Sequence, residues 1–174
     1  NILDNVKLKI NTIGKIDTRN NFVNEIKNYF SKNKKKLSPD SLKRLDRNPL
    51  RILDSKDPED KELVKKAPVI FNFLEKNELE SFEKVKNILT SMNIDFAVDP
   101  FLVRGLDYYS ETTFEFTLKK NDKYAVLAGG RYDSLIKELG GGVIPGVGWA
   151  AGIERLENLT FIQPKISSPV LLIP

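Results

Sequence analysis

Thr113–Leu118 reads TFEFTL, and its alternation decides the fold. Phe114, Phe116 and Leu118 fall on one side of an extended chain, and Thr113, Glu115 and Thr117 on the other, because successive strand side chains point to opposite faces. Downstream, the polar turn Lys119–Lys123 leads to Tyr124–Leu127, an antiparallel partner. Upstream, the strand extends back to Tyr109. Far earlier, Val6–Ile13 alternates in the same way, with Val6, Leu8 and Ile10 opposite Lys7, Lys9 and Asn11. Gly146–Ala151 is a strand of small residues. These four segments predict an antiparallel sheet, and the class is α+β.

Glycine divides the chain. Gly14 is the only one before position 100, and the other nine lie between Gly105 and Gly152. The first part therefore reads as helical, and the second as strands joined by tight turns. Asp17 or Thr18 is placed to cap a helix with Phe22, Ile26, Tyr29 and Phe30 on one face. Ser38-Pro39 opens a second helix, which Asn48-Pro49 stops. Asp57-Pro58 opens a third, ended by Pro68. Asn77 opens a fourth, carrying Leu79, Phe82, Val85, Leu89 and Met92 at helical spacing. This helical part, about Asp17–Asn93, is expected to pack as a separate lobe. Further on, a short helix is expected over Tyr132–Leu139 and another over Ile153–Leu159. Phe161–Pro169 reads as a linker and Val170–Ile173 as the first strand of something else, the pattern of a segment of a longer chain.

Composition narrows the chemistry. The 174 residues contain no cysteine and no histidine. Disulfides, thiolate metal sites, Ser/His/Asp triads and a histidine general base are all excluded. Chemistry must run on Arg, Lys, Tyr, carboxylates and backbone groups. No apolar run reaches the roughly 20 residues that span a bilayer, and the opening NILDNVKLKI lacks the pattern of a signal peptide. Basic charge is concentrated: Ser31–Lys66 holds 12 Lys/Arg against 7 Asp/Glu, whereas 97–174 holds 8 against 9. Such a segment suits a polyanion, although a solvated helical face has the same composition.

Three constellations are candidates for a site. In Arg104-Gly105-Leu106-Asp107-Tyr108-Tyr109, the guanidinium suits phosphate or carboxylate, and adjacent tyrosines at a strand entrance point to opposite faces. A surface Arg–Asp pair with aromatic packing accounts for the same residues. In Gly129-Gly130-Arg131-Tyr132-Asp133, a backbone can pass close to a ligand between strand and helix, as in any strand-to-helix turn. In Gly146–Arg155, small residues at every second position leave one strand face flat, as an adenine ring would require. Arg155 then emerges in the first turn of a helix, within reach of phosphate oxygens. Close strand–helix packing explains that pattern equally. The segment has neither dinucleotide-fingerprint nor P-loop spacing.

Jointly these stretches resemble one family. LVRGLDYY at Leu102–Tyr109 and AGGRYD at Ala128–Asp133 resemble the two histidine-specific signatures of histidyl-tRNA synthetases, and GWAAGIERL at Gly148–Leu156 resembles motif 3 of class II aminoacyl-tRNA synthetases. LKINTIGKIDTRNNF at Leu8–Phe22 and NPLRILDSKDPE at Asn48–Glu59 resemble the end of a catalytic strand and the helical insertion between motifs 2 and 3. The resemblance covers nearly the whole chain. Trp149 stands where the family pattern has Phe.

The resemblance implies part of the class II antiparallel sheet with flanking helices plus a helical insertion lobe. It divides the chain into a catalytic strand (1–16), the insertion (17–94), the rest of the catalytic domain (95–160), and a linker with the start of an anticodon-binding domain (161–174). It implies ATP-dependent activation of histidine to histidyl-adenylate and transfer to tRNA(His), in a cytoplasmic homodimer without membrane association. Arg104 would be catalytic, neutralising the α-phosphate and contacting histidine. Tyr108, Tyr109, Gly129, Gly130 and Tyr132 would form the histidine pocket, and Gly148, Gly152 and Arg155 the ATP site. ATP would be a substrate, with Mg2+ accompanying it and no metal held by these residues. The basic insertion would touch the acceptor arm of the tRNA.

Nothing in the chain resembles motif 1, motif 2 or the family's upstream histidine-reading carboxylates. Two other readings share the residues: the synthetase-like regulatory subunit of ATP phosphoribosyltransferase, which binds histidine without charging tRNA, and a non-enzymatic RNA-binding module built on the insertion.

Overall fold

The computed structural model describes residues 2–105, 108–121 and 124–160. The linker and strand expected over 161–174 lie outside them. A five-stranded sheet carries the molecule, formed by β1 (Val6–Thr12), β2 (Phe96–Val98), β3 (Ser110–Leu118), β4 (Ala125–Tyr132) and β5 (Gly146–Ala151). Its order is β2-β1-β3-β4-β5, antiparallel except for the β1–β2 pair. The alternation at Thr113–Leu118 and the limits of Gly146–Ala151 are as expected. The parallel edge strand β2 is an addition: three residues are too few for periodicity to register.

Among the described residues six α-helices accompany the sheet: α1 (Ile16–Lys32), α2 (Pro39–Arg47), α3 (Pro58–Val64), α4 (Lys76–Ser91), α5 (Leu135–Glu138) and α6 (Ile153–Glu157). Ser38 and Asp57 cap α2 and α3 as their Pro-preceding positions suggest. The starts of α1 and α4 differ from expectation for a shared reason. Glu78, 2% exposed, accepts hydrogen bonds from Thr18 Oγ1 and Glu75 N at 2.8 Å, and from Lys15 N. Thr18 is therefore already bonded to this carboxylate, α1 begins at Ile16, and Glu75 with Glu78 forms the capping box of α4.

Helices α1–α3 enclose a core of Phe22, Ile26, Phe30, Leu45, Ile52 and Ile70. Val103, from the segment before β3, joins it. Helix α4 does not stand apart with them: its Phe82 packs on Leu8 and Ile10 of the sheet, with Phe114 and Phe116 alongside. The helical part thus contributes to two packing clusters, and Phe71 packs against both.

The expected helix over Tyr132–Leu139 is replaced by a longer β4. Arg131 and Tyr132 pair with Val147 and Gly146, so sheet pairing runs through the glycine pair and only Leu135–Glu138 is helical. Helix α6 ends at Glu157, two residues short of the expected limit.

Candidate active site

The packing of α4 identifies the two faces of the sheet. Leu8, Ile10, Phe114 and Phe116 face the helix, so their neighbours Lys9, Asn11, Thr113, Glu115 and Thr117 occupy the other face. Cross-strand pairing extends that second face through Ala128, Gly130 and Tyr132 of β4 to Ala150, Gly148 and Gly146 of β5.

A groove of about 640 Å³ opens on this face beside the helical segment, lined by Lys9, Asp99, Arg104, Glu115, Tyr124 and Arg155 together with residues between Arg51 and Lys61. Arg104 Nη1 lies 3.6 Å from Glu115 Oε2, and its Nε is buried with no hydrogen-bond partner among the described residues. Burial pushes the Glu115 carboxyl above its ordinary range, against the opposing pull of Arg104 and Lys9. Lys9 Nζ is itself paired to Asp99 Oδ2 at 3.1 Å. Arg155, in α6, donates from Nη1 to the Ala125 carbonyl. Two cations spread over some fifty positions of sequence thus share one groove.

The tyrosines form an adjoining cluster. Tyr108 and Tyr109 do not point to opposite faces: their ring centroids are 4.6 Å apart, and each also contacts Tyr132, at 5.8 and 6.4 Å. The alternation rule fails because β3 begins only at Ser110, so both precede the extended strand. Burial raises the Tyr109 hydroxyl above its ordinary pKa, assisted by a hydrogen bond with Tyr108, while Arg104 pulls it down. Tyr109, Tyr132 and Arg104 therefore act within one electrostatic neighbourhood.

The glycines divide by face. A Cβ on Gly130 would lie 2.8 Å from Tyr109 Cδ1 and from the Thr112 carbonyl, so this position must be bare for the phenol ring to sit there. Gly146 and Gly148 lie under the ring of Tyr132 in the same way. The flat strip expected to receive an adenine is thus partly covered by Tyr132, leaving Ala128 and Ala150 as its open floor. Gly129 belongs to the opposite face, paired with Trp149, because adjacent strand residues cannot share a face. Gly152 caps α6 and donates its N–H to Val126. Among the described residues, no group of three or more Asp or Glu side chains is placed to hold a metal ion.

Sequence reasoning passed over Glu115, Lys9 and Asp99. Glu115 carries a faint signal as a carboxylate between two phenylalanines, but a charge on the polar side of a strand usually meets water. The Glu111–Arg131 pair, buried at Glu111 but 42% exposed at the Arg131 side chain, was passed over as well.

Comparison with known proteins decides the family. The profile of histidyl-tRNA synthetases matches residues 31–156. The chain belongs to the histidyl-tRNA synthetase family. It is 46% identical to the histidine–tRNA ligase of Wolbachia pipientis wMel over 171 residues, covering 98% of this chain and 42% of that ligase. Among solved structures, apo histidyl-tRNA synthetase of S. aureus aligns at 32% identity with a TM-score of 0.65, over 90% of this chain and 38% of that one. A Bacillus halodurans structure described as an ATP phosphoribosyltransferase regulatory subunit/histidyl-tRNA synthetase shares the fold at 20% identity and a TM-score of 0.55, over 90% of this chain and 45% of its own. The chain spans about two fifths of the curated relatives it matches.

Proposed function

We propose that the chain is the part of a histidine–tRNA ligase that supplies the catalytic arginine, the tyrosine wall of the histidine pocket and one side of the ATP site. What supports this reading is that Arg104 and Arg155 line one groove, while Tyr109 and Tyr132 pack against each other over the glycines of the same sheet face. A histidine carboxylate oxygen attacks the α-phosphorus of ATP, the bond to the β-phosphate oxygen breaks, and pyrophosphate leaves with its electron pair. Arg104 faces the charge that develops on the α-phosphate, a fixed cation requiring no reorganisation as the reaction proceeds. Tyr108, Tyr109 and Tyr132 offer phenols to the imidazole, Gly130 admits the ring of Tyr109, and Arg155 holds the ATP tail. Gly129, on the other face, serves the site only through its backbone. Mg2+ accompanies ATP. In the second step a terminal ribose hydroxyl of tRNA(His) attacks the activated carbonyl and releases AMP.

Within this reading the helical segment, roughly Asp17–Ile94, contacts the acceptor arm. Exposed Lys35, Lys36 and Lys66 rim a depression that Glu59 and Glu62 also line, so its lining carries a small positive excess that suits phosphates. No helix among the described residues is long and apolar enough to cross a membrane. A cytoplasmic homodimer fits the family.

The test is histidine-dependent ATP–pyrophosphate exchange and tRNA charging by the full-length parent. Exchange with charging is the expected result. Histidine binding without either would make the parent a regulatory, synthetase-like protein, and salt-sensitive RNA binding alone would make it an RNA-binding module.

A further inference from the structure

Glu111 combines three features that ordinary strand packing does not require. It is a non-glycine residue at φ 50°, in the left-handed region that side chains seldom adopt. It is 8% exposed. Its carboxylate meets Arg131 Nη1 at 2.6 Å, and the same guanidinium donates from Nε to Asp133 Oδ1 at 2.8 Å.

The backbone explains what this holds. Ser110 pairs with Arg131 and Thr113 with Gly130, so three steps along β3 are matched by one along β4, and Glu111 and Thr112 are looped out. The loop is tied on its other side to the end of β1, where Glu111 N donates to the Gly14 carbonyl and Ile13 N to the Glu111 carbonyl. The residue just before the bulge pair is Ser110, and before it Tyr109, whose ring lies over Gly130. Arg131 sits between Gly130 and Tyr132 on the facing strand. The Glu111–Arg131 contact therefore joins the two backbones that carry Tyr109 and Tyr132, beside a second link from Asp133 N to Ser110 Oγ.

We propose that Glu111 is a positioning residue for the histidine pocket: through Arg131 it holds the bulge in β3 that sets Tyr109 against Tyr132. It touches no substrate. This rests on the ligase reading above, which supplies the pocket, but assigns to a different pair the task of fixing its geometry. The bulge register is what brings the phenol of residue 109 over a glycine; a relaxed bulge shifts that ring while leaving Arg104 and Arg155 in place.

The experiment uses the full-length parent in histidine-dependent ATP–pyrophosphate exchange. Glu111→Gln and Arg131→Gln should each raise KM for histidine about ten-fold, as loss of a charge-assisted contact allows, with KM for ATP changed by less than about two-fold. The double variant should be no worse than either single one, because both remove the same contact. Glu111→Asp, which keeps the charge, should recover most of the affinity. Should Glu111→Gln fail to fold, Glu111→Gly carries the test, since glycine adopts this φ freely. Unchanged KM for histidine in the single variants overturns the proposal, as does additivity in the double variant or an equal rise in both KM values. Absence of exchange by the wild type instead sinks the ligase reading, and this proposal with it.

Discussion

Arg104 and Glu115 hold opposite charges 3.6 Å apart on the floor of the groove, and the carboxylate belongs to β3 while the guanidinium rises from the segment before it. The contact is longer than a good hydrogen bond, and Arg104 Nε is left without a partner among the described residues. Nε is enclosed, but about a quarter of the Arg104 side chain remains exposed along the groove, and that part is what an incoming anion could meet.

That geometry predicts a kinetic signature. Arg104→Ala in the full-length parent should lower the rate of ATP–pyrophosphate exchange at saturating substrates by at least about 100-fold, while weakening histidine binding far less. In the proposed adenylation step this contact would strengthen as the α-phosphate gains charge, so its loss would fall on the transition state. Equal maximal exchange rates for wild type and variant would make Arg104 structural.

Glu115 predicts a pH dependence of stability. Its carboxyl is raised in the fold by burial, so the folded state holds the proton more tightly than the unfolded chain. Stability from this residue is therefore complete below the unfolded glutamate value and declines as pH rises through the higher folded one. Glu115→Gln removes that decline. Thermal midpoints taken from roughly pH 4 to pH 8 should show the variant gaining on the wild type as pH rises. A constant difference would show that Glu115 does not titrate in this way.

Asp60 behaves in the opposite sense. It is fully buried and accepts hydrogen bonds from the hydroxyls of Ser38, Ser41 and Ser55 at 2.6–2.7 Å, and from Ser38 N at 2.9 Å. Burial pushes its pKa up, but these four donors outweigh it and the carboxyl lies below its ordinary range. Its stabilisation is present above the unfolded aspartate value and is lost as pH falls through the lower folded one. Asp60→Asn should cost about 2–3 kcal/mol at neutral pH, with the gap to wild type closing in acid. Denaturant unfolding at two pH values would show it, and a gap independent of pH would refute it.

The cationic end of the helical segment predicts a salt signature. Replacing Lys35 and Lys36 with Ala in the full-length parent should weaken tRNA binding and reduce the salt dependence of affinity by about two counterions at most. KM for histidine and ATP in pyrophosphate exchange should be unaffected. An unchanged salt slope would remove this surface from the tRNA interface.

Much of this was legible in the residues. Alternation at Thr113–Leu118, the Ser38-Pro39 and Asp57-Pro58 starts and the small-residue strand before Arg155 all follow from local rules. What was not legible depends on distant partners. Glu78 moves two helix starts because it reaches Lys15 and Thr18 across some sixty positions. The glycine pair looks like a turn until β5 arrives to pair with it, and Tyr108 joins Tyr109 because the strand begins one residue later than its alternation suggests. Glu115 reads as a solvated charge until Arg104 and the helical segment close over it.

The seven-residue register between β1 and β3 has a consequence for how the chain reaches its fold. Val6 pairs with Leu118, so the centre of the sheet forms only by closing a loop of more than one hundred residues. Loop-closure entropy rises with length, and such non-local pairing is intrinsically slow. Helices α1–α3, by contrast, bury a core drawn chiefly from Phe22 to Ile70, with Val103 added from the segment before β3. Collapse of these helices first would shorten the loop that β1 must close and make the helical segment a folding tether. Phe30→Leu in that core should therefore retard sheet assembly, followed by the fluorescence of Trp149 on β5, the only tryptophan. If it changes the unfolding rate alone, the two regions assemble independently, and the order in which they emerge during synthesis carries no kinetic weight.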